Sequence, residues 1–163
     1  MNAFRHDKKW ANIAQWSEEL GVSSWDKNVV CLDSIHPCLL MGSRLSAQNI
    51  IDGDSLCDQY GRVYTDSKRL RMLCVASSDT CAYCNHSERF KFYCVRDIEQ
   101  DDDAYLGVVE TAAREVYAML KKGKIVLVHC HSGRNRSALV ILVFCAFYTN
   151  LTFEDAVYRI RKY

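Results

Sequence analysis

Cys130 and Arg136 stand at the two ends of a short polar stretch, His131-Ser132-Gly133-Arg134-Asn135. A cysteine becomes a nucleophile when its thiolate is stabilised. An arginine presents a planar fork that grips two oxygens of a phosphoryl group. The two meet if the stretch folds back on itself, and Gly133 permits so tight a turn. Before Cys130 runs Val126-Leu127-Val128-His129, apolar and β-like; after Arg136 comes the long apolar stretch Ala138 to Phe147, which reads as a buried helix. Strand, polar loop and helix N-terminus together bind phosphate-like anions, because loop and first-turn N–H groups lack backbone partners and converge on one ligand. The same groups and the helix dipole stabilise a thiolate at the loop's mouth. An isolated cysteine and arginine at this spacing would more simply be a core thiol and a solvated basic loop. Here the strand, the glycine and the apolar helix all favour the anion site.

Cys130-x5-Arg136, with His129 before it and Ser137 after it, resembles the signature loop of the cysteine-dependent protein tyrosine phosphatase superfamily. Within that superfamily it is most similar to the small, atypical dual-specificity phosphatases. Ile35-x-Pro37-x-Leu39-x-Met41-Gly42-Ser43, followed by Ala47, resembles their opening hairpin and helix, and Leu151-Thr152-Phe153-Glu154-Asp155-Ala156-Val157 their C-terminal helical pair. The resemblance covers roughly residues 29–163. It implies one α/β domain, a central and mostly parallel sheet flanked by helices; residues 1–28, which precede it, read as a helical extension packed on the domain, with a partner-docking or substrate-contact helix as the alternative. It further implies a phosphoric monoester hydrolase acting on phosphorylated protein, at phosphotyrosine and also phosphoserine or phosphothreonine, with no cofactor and no metal.

The resemblance also assigns roles. Cys130 attacks phosphorus and forms a cysteinyl phosphate. His131, Ser132, Gly133, Arg134, Asn135 and Arg136 form the phosphate-binding loop, and the Ser137 hydroxyl helps sulfur leave. His129 orients the loop. The general acid falls in the most acidic stretch, Arg96-Asp97-Ile98-Glu99-Gln100-Asp101-Asp102-Asp103, where Val95-x-Asp97-x-Glu99 is similar to the family's general-acid loop. Strand alternation through Tyr93 and Val95 puts Asp97 at the strand's mouth; Glu99 and Asp101 are the alternatives. Tyrosine-specific members carry Trp-Pro before this aspartate, and this chain has Val95-Arg96. Asn135 replaces a serine often found before the arginine. Gly-x-Asn-Arg also occurs in related phosphatases acting on RNA 5′ phosphates, though Thr-Gly follows it there and Ser137-Ala138 here. RNA ends, phosphoinositides and a non-catalytic phosphate-binding scaffold are therefore the competing readings. Arg134 either favours an extra acidic group on the substrate or faces solvent.

The rest of the chain must hold this loop. Residues 8–20 read as an amphipathic helix with Trp10, Ile13, Ala14 and Leu20 near one face. Residues 29–42 read as two short strands with a turn at Pro37, the only proline. A helix is expected from Ser46 to about Leu56, weakened by Gly53, then a polar turn region over 57–68. Strands follow at 69–76 and 90–95, the second apolar enough to be covered on both faces. Residues 105–122 place Val109, Ala112, Ala113, Val116 and Leu120 at helical spacing, and Gly123 ends that helix. The central strand is 124–129. Thr152 caps the last helix, with Asp155 three residues on.

A chain of 163 residues is one domain's worth, and a net charge of +1 gives no strong global field for nucleic acid or membrane. No apolar run approaches a membrane span, and residues 1–20 lack a secretory apolar core, so the expected place is cytoplasm or nucleus. There the nine cysteines are expected to be reduced, most of them as small core side chains. Cys81-x2-Cys84 has metal-ligand spacing, but neither a second pair nor His36 and His86 complete a quartet. A low-pKa thiolate is open to reversible oxidation by peroxide. Lys8-Lys9 and the Lys68–Arg71 stretch are too short to read as recruiting clusters.

Overall fold

The computed structural model describes residues 28–76, 89–94, 103–131 and 136–162. The N-terminal helix expected at 8–20, the Cys81–Cys84 pair, Asp97 with its alternatives, and Ser132 to Asn135 lie outside them.

Five strands form the central sheet: β1 (Val29–Cys31), β2 (Leu39–Gly42), β5 (Leu70–Ala76), β6 (Phe90–Cys94) and β7 (Ile125–His129), in the order β1-β2-β7-β5-β6. β1 pairs antiparallel with β2, and every other neighbour is parallel. Two short strands, β3 (Leu56–Cys57) and β4 (Val63–Tyr64), make a separate hairpin. The helices are α1 (Arg44–Ile51), α2 (Asp103–Lys121), α3 (Arg136–Tyr148) and α4 (Phe153–Arg161).

β2, β5 and β7 are covered on both faces, which is why they are apolar at successive positions rather than alternating; β6, expected to be covered on both faces, is half-buried at the sheet's edge and carries exposed Lys91. On one face Leu39, Met41, Leu73, Val75, Val126 and Val128 pack against α2, α3 and α4. On the other, Leu40, Met72 and Leu127 pack against Ala47 and Ile50 of α1 and Leu56 of β3. α3 is the extreme case: from Arg136 to Ala146 every residue is buried, so the helix carries no polar stripe. Gly123, at φ +73°, turns the chain out of α2; its own N–H reaches Leu120 O at 2.9 Å and the N–H of Lys124 reaches Met119 O at 3.1 Å. Two residues later the chain is in β7.

The structure departs from the sequence reading in three further places. The helix expected from Ser46 to Leu56 runs from Arg44 to Ile51. Ser43 caps it, and Gly53 at φ +88° ends it before Leu56 enters β3. The stretch read as polar turn holds the β3–β4 hairpin, built around buried Asp58. Cys74, expected as a reduced core thiol, is disulfide-bonded. Cys31, Cys38, Cys57, Cys130 and Cys145 are free thiols. Burial pushes Cys145 up to about 12, against a smaller opposing pull from Arg159, so it is an inert packing group.

Candidate active site

β7 is the central strand and delivers Cys130 to the carboxyl edge of the sheet. Cys130 is buried, and its Sγ lies 3.4 Å from Ser137 Oγ in the first turn of α3. Residues seven apart in sequence are thus in hydrogen-bond contact. Arg136 opens α3 and is only 7% exposed. A guanidinium is rarely so buried without a charged or polar task. His131 is exposed at the start of the loop.

His129 is fully buried, and its Nδ1 meets the Cys130 carbonyl at 3.3 Å. A carbonyl only accepts, so Nδ1 carries the proton in this contact. Burial lowers the imidazole to about 4, with the Cys130 contact pulling weakly the other way. His129 is therefore neutral near pH 7. Leu127, two residues earlier, belongs to the α1 face, so alternation sends His129 to that face and Cys130 to the α3 face. This arrangement suits an orienting group rather than a base acting on Cys130.

The partner strands fix the other wall. Gly42 of β2 and Cys74 of β5 are the register neighbours of His129. Gly42 is tightly hemmed in: a Cβ there would meet Ser46 Oγ at 3.0 Å and Leu127 Cδ1 at 3.2 Å. The following turn is joined to the loop, since Arg44 N–H donates to His131 O at 3.1 Å. Sequence reasoning missed this contribution of Ser43 and Arg44. The signal was present: Ser43-x-x-Ser46 after a strand and a glycine is a relative of the capping box, with serine in place of Glu or Gln at its last position. Among the described residues no group of three His, Cys, Asp or Glu side chains is placed to hold a metal ion. None of the described helices is long and apolar enough to cross a membrane.

The model of the dual specificity phosphatase catalytic domain matches residues 64–163, from β4 through the loop to the last helix. The chain belongs to the dual specificity phosphatase family. Solved structures share the fold. Human DUSP28 is similar over 86% of this chain and 84% of its own, at 19% identity and a TM-score of 0.55. The human tyrosine phosphatase-like serine/threonine/tyrosine-interacting protein covers 78% of this chain and 80% of its own, at 18% identity and 0.52. A leucine-rich repeat and phosphatase domain containing protein from Entamoeba histolytica covers 78% and 74%, at 16% identity and 0.50. No curated protein sequence matches. Family membership makes this dual-specificity domain a phosphatase, a hydrolase of phosphorylated substrates. The α/β sheet with helices on both faces is the architecture that the signature loop implied.

Proposed function

We propose that the domain hydrolyses phosphotyrosine and phosphoserine or phosphothreonine in proteins through a cysteinyl phosphate on Cys130. The observation that carries this reading is the 3.4 Å contact of Cys130 Sγ with Ser137 Oγ at the mouth of β7. In the first step Cys130 Sγ bonds to phosphorus as the bond to the ester oxygen breaks. Asp97 gives its proton to that departing oxygen. In the second step water attacks phosphorus, Asp97 takes the water proton, and the sulfur–phosphorus bond breaks to release inorganic phosphate. Ser137 hydrogen-bonds the returning thiolate. Arg136 and the loop N–H groups of residues 131–136 hold the equatorial oxygens, and positioning with charge stabilisation does most of the work in such transfers.

The test is phosphate release from a matched panel: a phosphotyrosine peptide, a phosphothreonine peptide, a phosphoinositide and a 5′-triphosphorylated RNA, each with a Cys130→Ser control. Release from both peptides that vanishes in the control is expected. Release from RNA or lipid alone would move the substrate to those classes. No release anywhere, with phosphate-analogue binding retained, would leave a binding scaffold.

A further inference from the structure

β2 and β7 are parallel neighbours, but the chain leaves them in opposite directions. After β2 it crosses to α1 on one face of the sheet; after β7 it crosses to α3 on the other. Between two such exits an α/β sheet opens a crevice at its carboxyl edge, and ligands bind there. Cys130 lies on one side of this crevice. The turn Ser43-Arg44-Leu45 lies on the other, because Gly42 is the register partner of His129.

That turn is held firmly. Ser43 and Ser46 are both buried, and each hydroxyl faces the other's N–H, at 3.4 Å to Ser46 N and 3.3 Å to Ser43 N. Ser46 Oγ also donates to Asn28 O at 2.7 Å. Arg44 N–H is fixed to the loop through His131 O. The Arg44 side chain, in contrast, is exposed. Arg62 and Arg89 are each paired with an aspartate, Asp58 and Asp66. Among the described residues no carboxylate pairs with Arg44. A cation on a firmly held turn that is bonded to His131 next to Cys130, with no carboxylate partner among the described residues, is a ready receptor for a second negative group.

We propose that Arg44 is a specificity-determining residue that takes an acidic side chain flanking the phosphorylated residue of a protein substrate. This deepens the reading of Cys130 as nucleophile and rests on it. The contact lies at a solvated rim, so it sets selectivity by a few-fold and is screened by salt.

The experiment compares three phosphotyrosine peptides of one length, flanked by aspartates, alanines or lysines. For the wild-type chain kcat/KM should fall from the first to the last, by about five-fold overall at low salt. Arg44→Glu should reverse the order, Arg44→Lys should keep it, and 0.5 M salt should compress it. The dissociation constants of the same peptides are measured in Cys130→Ser with and without Arg44→Glu, so recognition is read without turnover. Hydrolysis with no flank preference, or a preference that survives Arg44→Glu, overturns the role of Arg44 and leaves the phosphatase standing. An Arg44-dependent preference in binding with no turnover by the wild-type chain overturns the nucleophile reading and leaves Arg44 as the reader of flanks. Neither turnover nor preference overturns both.

Discussion

Cys130 Sγ and Ser137 Oγ stand 3.4 Å apart across the base of the loop, one at the end of β7 and the other in the first turn of α3. Both are buried, so the contact forms where solvent does not compete for the hydroxyl. In the proposed reaction sulfur regains its charge as it leaves phosphorus, and a hydroxyl in this position stabilises that departing thiolate. Ser137→Ala is therefore expected to spare the first step and slow the second. One hydrogen bond to a charged group corresponds to about a ten-fold change in rate. Rapid-mixing kinetics with an aryl phosphate should show a burst of phenol followed by a steady state about ten-fold slower. A slowed burst with unchanged steady-state balance would place Ser137 in the attack instead.

The buried imidazole of His129 makes folding depend on pH. Its ordinary value of 6.5 falls to about 4 in the folded chain because burial disfavours the charged form. Between those two values the unfolded chain binds more protons, so stability rises with pH. The contribution is complete above pH 6.5, is lost as pH falls toward 4, and amounts to about 3 kcal/mol. Urea midpoints measured from pH 7 to pH 4.5 should fall accordingly. His129→Asn keeps a donor near the Cys130 carbonyl without the titration. It should be less stable at pH 7 and lose that part of the slope. An unchanged slope in the variant would assign the acid sensitivity to other groups.

The two supports of the loop, β7 and α3, were legible because they contrast in polarity with the segment between them. Val126 to Val128 are apolar on both faces of a covered strand, α3 is apolar all round, and between them lies a short polar segment. Thr152 was legible for a local reason: its Oγ1 accepts from Asp155 N at 3.1 Å, a bond within one turn. What escaped depends on partners far away in sequence. Ser46 looked like a helix start, yet its hydroxyl is spent on Ser43 and on Asn28, eighteen residues back. Gln59 looked like a turn residue. Its amide instead pairs with both backbone groups of Cys31, accepting from N–H at 2.8 Å and donating to O at 2.7 Å, and so occupies part of the open edge of β1. Lys124 is likewise tied to a distant part of the chain: its Nζ donates to Lys68 O at 3.2 Å, at the turn before β5.

Gly42 couples the sheet to the turn that carries Arg44. Replacing it by alanine forces a methyl group to within 3.0 Å of Ser46 Oγ, 3.1 Å of Ser46 Cβ and 3.2 Å of Leu127 Cδ1. Ser46 is wedged against Ser43 and Asn28, and Leu127 is part of the core, so neither yields freely. Overpacking of this kind costs about 1–3 kcal/mol. The expected result for Gly42→Ala is a loss of that size in urea unfolding, together with reduced turnover, because the turn and the His131 carbonyl shift together. A variant of native stability and native turnover would mean that α1 slides outward without disturbing the loop.

Asp58 is the hub of the β3–β4 hairpin. Its side chain is fully buried and accepts four hydrogen bonds: Tyr60 N–H at 2.9 Å, Arg62 N–H at 3.0 Å, Arg62 Nε at 2.7 Å and Tyr64 Oη at 2.8 Å. Burial pushes the carboxyl up, but these donors outweigh it and hold the group below its ordinary value. Asp58→Ala strands the donors and is expected to cost about 3 kcal/mol at pH 7. Because the folded value is depressed, that stabilisation is present above the ordinary carboxylate range and is lost as pH falls through the folded value. Asp58→Asn keeps one oxygen for the two backbone N–H groups and should recover part of the loss. The hairpin meets the sheet through Gln59 and Leu56, away from Cys130. At temperatures where Asp58→Ala remains folded, kcat/KM should therefore stay within about two-fold of the parent while the melting temperature drops by several degrees. A large loss of turnover in the folded variant would show that the hairpin reaches the active site.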